Sequence, residues 1–198
     1  MKSVNLHGFD SLLGISLVSW SLVGIFPYLS NPYRVSILCL QCFVGILFLL
    51  RTRANQHGTI KQVLMSFPAI LVGTWTFSIT PMTSAWPLCS IFLFILGLFL
   101  TTIAFIYLGK SFAVLPAARR LVIGGPFRYV RHPAYLGQWL ILLACGISIG
   151  TAWSVIPAII AIPLLVIRAK AEEDLLATSS HYNWYKRHVR WRFIPGIL

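Results

Sequence analysis

The sequence predicts an all-α, polytopic integral membrane protein with about six transmembrane helices (five to seven). The chain has 198 residues, of which 58% are hydrophobic and only 10% are charged. One soluble core cannot bury that much apolar surface. A stretch of roughly 20 apolar residues spans the hydrocarbon core of a bilayer, and the chain contains six such stretches.

The first four predicted spans occupy the N-terminal half of the chain. Ser30, Asn31 and Pro32 form a turn signal after the first span. The short segment 81–83 predicts a tight hairpin between the third and fourth spans. The predicted bounds are residues 10–29, 33–50, 63–80 and 84–108.

The last two spans form a predicted helical hairpin over residues 133–149 and 152–170, hinged at Gly150 and Thr151. The helix is expected to continue beyond the membrane. Pro157 and Pro163 fall inside the sixth predicted span, where they should kink it. We predict a single membrane domain over residues 1–198. In it, residues 1–108 hold four spans, and residues 109–198 hold a loop, the last hairpin and the C-terminal tail.

The charge pattern predicts the orientation in the membrane. The net charge is +12 at pH 7, and the cations flank the apolar runs. Three segments are basic: the loops 51–62 and 109–132 and the tail after Arg168. With six spans they fall on the same side of the membrane as Lys2, whereas Arg34 falls on the opposite side. The positive-inside rule then places both termini in the cytoplasm. The same distribution favours contact with anionic lipid over nucleic acid.

The histidines and cysteines predict neither a metal site nor a disulfide framework. The five histidines are scattered without the spacing of metal ligands. The four cysteines all lie in apolar stretches, including the CxxC pair Cys39 and Cys42. We also expect an uncleaved first span, because no small-residue cleavage site follows the N-terminal apolar run.

The segment 124–137 is the first candidate for a functional site, because it places prolines, cations and aromatics between two apolar runs. Pro126 and Pro133 predict a held, irregular loop. Pro133 is suited to the first position of a helix, which puts His132 at the cap and Tyr135 in the first turn. Unpaired N–H groups there can meet an anionic ligand. The alternative is a basic connector whose arginines touch lipid phosphate.

The second candidate is an acidic cluster just after the sixth span. The chain has four acidic residues, and three of them are Glu172, Glu173 and Asp174. These carboxylates can simply pair with Arg168, Lys170 or the loop arginines. Alternatively, Arg168 and Glu172, four apart on one helix, can face one pocket. The guanidinium would then bind an anion and the carboxylate an ammonium.

These motifs together resemble one enzyme family. The run LVIGGPFRYVRHPAYLG (residues 121–137), RAKAEEDLL (168–176), the tyrosines of 182–185 and the closing FIP (193–195) resemble the isoprenylcysteine carboxyl methyltransferase family. The resemblance covers about the last 90 residues. RHPxYxG followed one helical hairpin later by RxxxEExxL is its specific part.

The resemblance implies an integral membrane enzyme that transfers a methyl group from S-adenosylmethionine to a carboxylate, with a cytoplasmic site formed by the loop, the last hairpin and the tail. Arg168 would meet the methyl acceptor and, with Glu172, serve catalysis. Phe127 stands where the family often has tyrosine, so a hydroxyl is lost. By position, the cofactor-binding residues would be Arg119, Arg120, Leu121, Val122, Phe127, His132, Pro133, Ala134, Tyr135 and Glu172.

Elementary chemistry is compatible with this assignment. Glu172 can hold the α-ammonium of S-adenosylmethionine, and a carboxylate acceptor is already ionised at pH 7 and needs no general base. The protein then mainly aligns the cofactor with a lipophilic or prenylated acceptor arriving from the bilayer.

Three alternatives stay open. The acceptor can be a phospholipid amine or a small thiol, although the positive charge of Arg168 favours an anionic acceptor. The protein can be a membrane reductase of the sterol type that uses a nicotinamide cofactor. It can also be a non-enzymatic transporter or assembly factor, in which the acidic cluster acts as a gate or anchor.

Overall fold

The computed structural model describes residues 7–50, 56–57, 60–80, 85–111, 117–118 and 121–196. The described chain is helical, which confirms the predicted all-α class. Gln56–His57 and Ala117–Ala118 form a two-residue antiparallel pairing. The α-helices are α1 (His7–Ile25), α2 (Pro32–Leu50), α3 (Ile60–Ile79), α4 (Leu88–Leu108), α5 (Pro133–Ile149), α6 (Ile156–Leu176) and α7 (Ser180–His188).

Four helical segments among the described residues are long and apolar enough to cross a membrane: Ser11–Tyr28, Pro32–Leu50, Leu88–Ser111 and Ala152–Leu176. Helix α5 is equally apolar but has only 17 residues. The chain is therefore an integral membrane protein. The count of six spans stays a prediction, since α5 and the apolar part of α3, Pro68–Ile79, are shorter than the other four segments.

The helices pack in pairs. Helix α1 lies against α2, α4 against α5, and α3 mainly against α6. Residues 81–83, where we expect a tight hairpin between the third and fourth spans, lie outside the described residues. The described part of α3 packs mainly against α6. The closest approach is between α4 and α5. A Cβ added at Gly97 would lie 2.6 Å from the carbonyl oxygen of Gly137, so only glycine permits this contact.

The turns largely follow their sequence signals. Asn31 Oδ1 accepts the backbone N–H of Arg34 at 3.0 Å and so caps the start of α2. Gly150 has φ +80° and ends α5, which confirms the hinge. Pro157, however, lies in the first turn of α6, whereas Pro163 lies inside the helix. The expected kink at Pro157 is therefore wrong, because a proline in the first turn removes no helical hydrogen bond.

Candidate active site

The loop before α5 has the predicted cap geometry. His132 is the N-cap and Pro133 the first residue of α5. Upstream, Gly125 has φ +56°, and a Cβ there would lie 2.5 Å from the Tyr107 ring. This glycine therefore allows the loop to turn tightly over α4. The loop backbone delivers His132 and Tyr135 to one place at the end of the bundle.

The C-terminal tail holds this loop in place. The backbone N–H of Arg131 donates to Trp191 O at 2.9 Å, and that of His132 donates to Arg192 O at 2.8 Å. The hydroxyl of Tyr185, on α7, donates to Phe127 O at 2.7 Å. Burial raises the pKa of Tyr185 above its usual value, so this donor stays protonated. The tail therefore forms part of the site.

Glu173 is the centre of an ion-pair network that joins the loop, α6 and the tail. Glu173 is only 2% exposed to solvent. Arg192 donates to it through Nε and Nη2, both at 3.1 Å. Arg131 Nη1 lies 3.1 Å from Oε1, as an ion pair without hydrogen-bond alignment. His132 Nε2 lies 3.2 Å from the same oxygen, and Lys186 Nζ lies 3.8 Å from Oε2. The expected pairing of an acidic residue with a loop arginine is thus confirmed for Glu173.

Glu172 has a different environment. Its Oε2 accepts the hydroxyl of Tyr135 at 2.7 Å and lies 4.0 Å from His132 Nδ1. Its side chain is 30% exposed. The rings of His132 and Tyr135 are parallel, with centroids 5.2 Å apart, and Phe193 is tilted against His132 at 5.9 Å. A partly exposed carboxylate therefore stands beside three rings.

Arg168 also contacts Tyr135. Its guanidinium carbon is 4.7 Å from the centroid of the Tyr135 ring, and the residue is 5% exposed. It also lines a cavity of about 410 Å³ whose walls are formed by residues of α1 to α6. The walls are mostly apolar and include Leu17, Ile37, Leu40, Gln41, Val44, Ala69, Ile70, Gly73, Phe77, Phe105, Gln138, Trp139, Ile141, Leu142, Cys145, Ala161 and Leu165. Tyr135 thus contacts both Arg168, which lines the cavity, and the partly exposed carboxylate of Glu172.

The structure brings four of the predicted site residues together: His132, Tyr135, Arg168 and Glu172. The other described candidates lie in packing positions. Phe127 and Ala134 belong to a buried apolar cluster, against which Val122 packs. Leu121 packs against Tyr182 and Tyr185. Pro133 is fully buried in the first turn of α5. Arg119 and Arg120 lie outside the described residues. Every assigned role stays a prediction.

Sequence reasoning missed several residues of this region. Arg192 was not a candidate, although it provides the two-pronged partner of Glu173. Gln41 and Gln138, the polar residues of the cavity wall besides Tyr135 and Arg168, were also missed. Their signal was available, since an uncharged polar side chain is uncommon within a membrane span.

These features define a helical membrane protein in which a buried arginine that lines an apolar cavity and a partly exposed glutamate both contact Tyr135. Residues 86–183 match the family model described as phospholipid methyltransferase. The matched part is just under half of the chain and runs from before α4 into α7. The match indicates a membrane methyltransferase, from a family related to the isoprenylcysteine carboxyl methyltransferases. No curated protein matches the chain.

Proposed function

We propose that the protein transfers a methyl group from S-adenosylmethionine to the carboxylate of a lipophilic acceptor, as an isoprenylcysteine carboxyl methyltransferase does. One observation carries the proposal. Arg168 and Glu172 are one turn apart on α6, and they contact Tyr135 through its ring face and its hydroxyl respectively. One helix turn thus presents a cation to the apolar cavity and a partly exposed carboxylate beside it.

The surroundings of Glu172 suit S-adenosylmethionine. A donor placed between Glu172 Oε2 and His132 Nδ1, which are 4.0 Å apart, can reach both acceptors. An ammonium is such a donor, and a hydrogen bond to a charged group contributes about 1.5–3 kcal/mol. The rings of His132, Tyr135 and Phe193 offer faces to an adenine or a sulfonium. When bound, the cofactor supplies an electrophilic methyl group, and the electrons of the broken C–S bond stay on sulfur.

The cavity at Arg168 suits the acceptor. Its mostly apolar walls can take a hydrocarbon chain, and the planar guanidinium can pair with a carboxylate through two parallel hydrogen bonds. A carboxylate with a reference pKa of about 4 is ionised at pH 7, so its oxygen attacks without a general base. Arg168 and Tyr135 would hold that oxygen in line with the methyl group, and such alignment lowers a barrier by about 7–11 kcal/mol.

A second candidate, methylation of a phospholipid amine, is favoured by the family match over residues 86–183. In this alternative Arg168 pairs with the lipid phosphate. The amine, with a reference pKa of about 10, must lose a proton before transfer. Glu172 is a partly exposed carboxylate at the site that can accept it.

We also propose six spans, with both termini and the site at the cytoplasmic face. The support is the convergence of cations at the site end of the bundle, where Arg131, Lys186 and Arg192 surround Glu173. The positive-inside rule assigns such a face to the cytoplasm.

The function is tested with purified protein and tritiated S-adenosylmethionine. We expect calorimetry to detect binding of S-adenosylhomocysteine and not of NADPH. We also expect tritium to enter a farnesylated N-acetylcysteine. NADPH binding without S-adenosylhomocysteine binding would instead support a reductase. Absence of both would support a non-enzymatic role.

A further inference from the structure

Glu173 contacts the ring of His132 on the side away from Glu172. We propose that Glu173 is a positioning residue: it keeps a proton on Nε2 of His132 and thereby makes Nδ1 an acceptor for the cofactor's ammonium, beside Glu172. The part of this inference that concerns the ammonium rests on the function proposed above. The part that concerns the position of the proton does not.

The charges around Glu173 fix its role as an acceptor. Arg131, Arg192 and Lys186 all lie within 3.8 Å of its oxygens, and the residue is 2% exposed. A carboxylate surrounded by three cations is ionised and can only accept hydrogen bonds. Because His132 Nε2 lies 3.2 Å from Oε1, this nitrogen must carry a proton.

A neutral imidazole carries one proton, on either Nε2 or Nδ1. In a ring with one proton, a protonated Nε2 leaves the lone pair on Nδ1. This lone pair faces Glu172 Oε2 at 4.0 Å, which is too long for a direct hydrogen bond.

Several contacts prevent the ring from turning away. The backbone N–H of His132 donates a hydrogen bond to Arg192 O at 2.8 Å, which fixes the backbone that carries the ring. The Tyr135 ring stacks parallel to the imidazole, within 5° of its plane, and Phe193 lies against it. Two acceptors, His132 Nδ1 and Glu172 Oε2, are thus fixed side by side. A group with at least two N–H donors, such as an ammonium, would satisfy both.

The proton position is measured on the wild-type protein by long-range ¹H–¹⁵N correlation spectra with ¹⁵N-labelled histidine at neutral pH. The His132 signals are assigned by their loss in His132→Gln. We expect the Nε2–H tautomer, and we expect S-adenosylhomocysteine to shift the Nδ1 resonance far more than that of Nε2. A ring protonated on Nδ1, alone or together with Nε2, would overturn the inference. This test does not depend on any Glu173 variant folding.

Glu173→Gln and Asp174→Asn form a matched pair, because Asp174 is the adjacent carboxylate of α6 but is exposed. We expect Glu173→Gln to weaken the preference for the Nε2–H tautomer, because its amide can donate to the ring as well as accept from it. We also expect it to weaken S-adenosylhomocysteine binding by about tenfold, the effect of one charge-assisted hydrogen bond. Asp174→Asn should keep both. Wild-type affinity in a folded Glu173→Gln protein would contradict the positioning role.

The two proposals fail in different ways. If wild-type protein does not bind S-adenosylhomocysteine, the proposed function is wrong, yet the tautomer measurement still stands. If wild-type protein binds it tightly with the proton on Nδ1, only the inference about Glu173 is wrong.

Discussion

Replacing Glu172 and Arg168 one at a time should separate the two ligands. In the wild-type protein the Tyr135 hydroxyl donates a hydrogen bond to the Glu172 carboxylate at 2.7 Å. In Glu172→Gln the amide oxygen can still accept this hydrogen bond, but the negative charge is lost. Its side chain is 30% exposed, so folding should be little affected. The lost hydrogen bond to an ammonium is worth about 1.5–3 kcal/mol, so S-adenosylhomocysteine affinity should fall by roughly 10- to 100-fold.

Arg168→Lys should give the opposite pattern. Lysine keeps the positive charge but loses the planar fork that lies over the Tyr135 ring at 4.7 Å. Because Arg168 lines the apolar cavity, we expect the loss in acceptor affinity and turnover, with kcat/KM for the acceptor lowered by about tenfold or more. Cofactor affinity should stay within about twofold of wild type.

The assay combines calorimetry with S-adenosylhomocysteine, acceptor kinetics and thermal melting of both variants, with Asp174→Asn as the exposed control. Equal losses for both ligands, accompanied by a lower melting temperature, would show that Arg168 and Glu172 are only a structural pair. That result would refute the division of roles.

Three further predictions test the site, the packing and the topology. Tyr135→Phe removes the hydroxyl that donates a hydrogen bond to Glu172 but keeps the ring that contacts His132 and Arg168. We expect S-adenosylhomocysteine affinity to fall by about tenfold or less, with an unchanged melting temperature. Gly137→Ala places a Cβ 2.7 Å from Gly97 O and should cost about 1–3 kcal/mol of stability, whereas Gly73→Ala meets nothing within 4 Å and should melt like wild type. A cysteine introduced at Gly58 in a cysteine-free background should resist an impermeant reagent added outside intact cells, and labelling there would overturn the six-span orientation.

Local signals predicted the helix bounds and the cap of α5 well. Prolines restrict their own φ and the residue before them, so His132 and Pro133 could be placed without tertiary information. The hinge at Gly150 followed from the same kind of local rule. The spacing of Arg168 and Glu172 likewise placed both on one face of α6, and the structure puts both on Tyr135.

The pairing of α3 with α6 and the cavity could not be predicted. A membrane helix is apolar on all sides, so its sequence does not show which face meets which neighbour. The partners of Glu173 were also hidden, because Arg192 comes from a tail that has to fold back onto the loop first. Two adjacent carboxylates with opposite environments, Glu172 and Glu173, look alike in the sequence.

The central claim is methyl transfer to a carboxylate, and the chemical stability of the product tests it most directly. Purified protein is incubated with tritiated S-adenosylmethionine and either farnesylated N-acetylcysteine or phosphatidylethanolamine. The lipid product is then treated with mild base. A methyl ester releases tritiated methanol, and we expect this from the farnesylated acceptor. A label that stays on the headgroup amine of phosphatidylethanolamine, with none on the farnesylated acceptor, would contradict the account and favour phospholipid amine methylation.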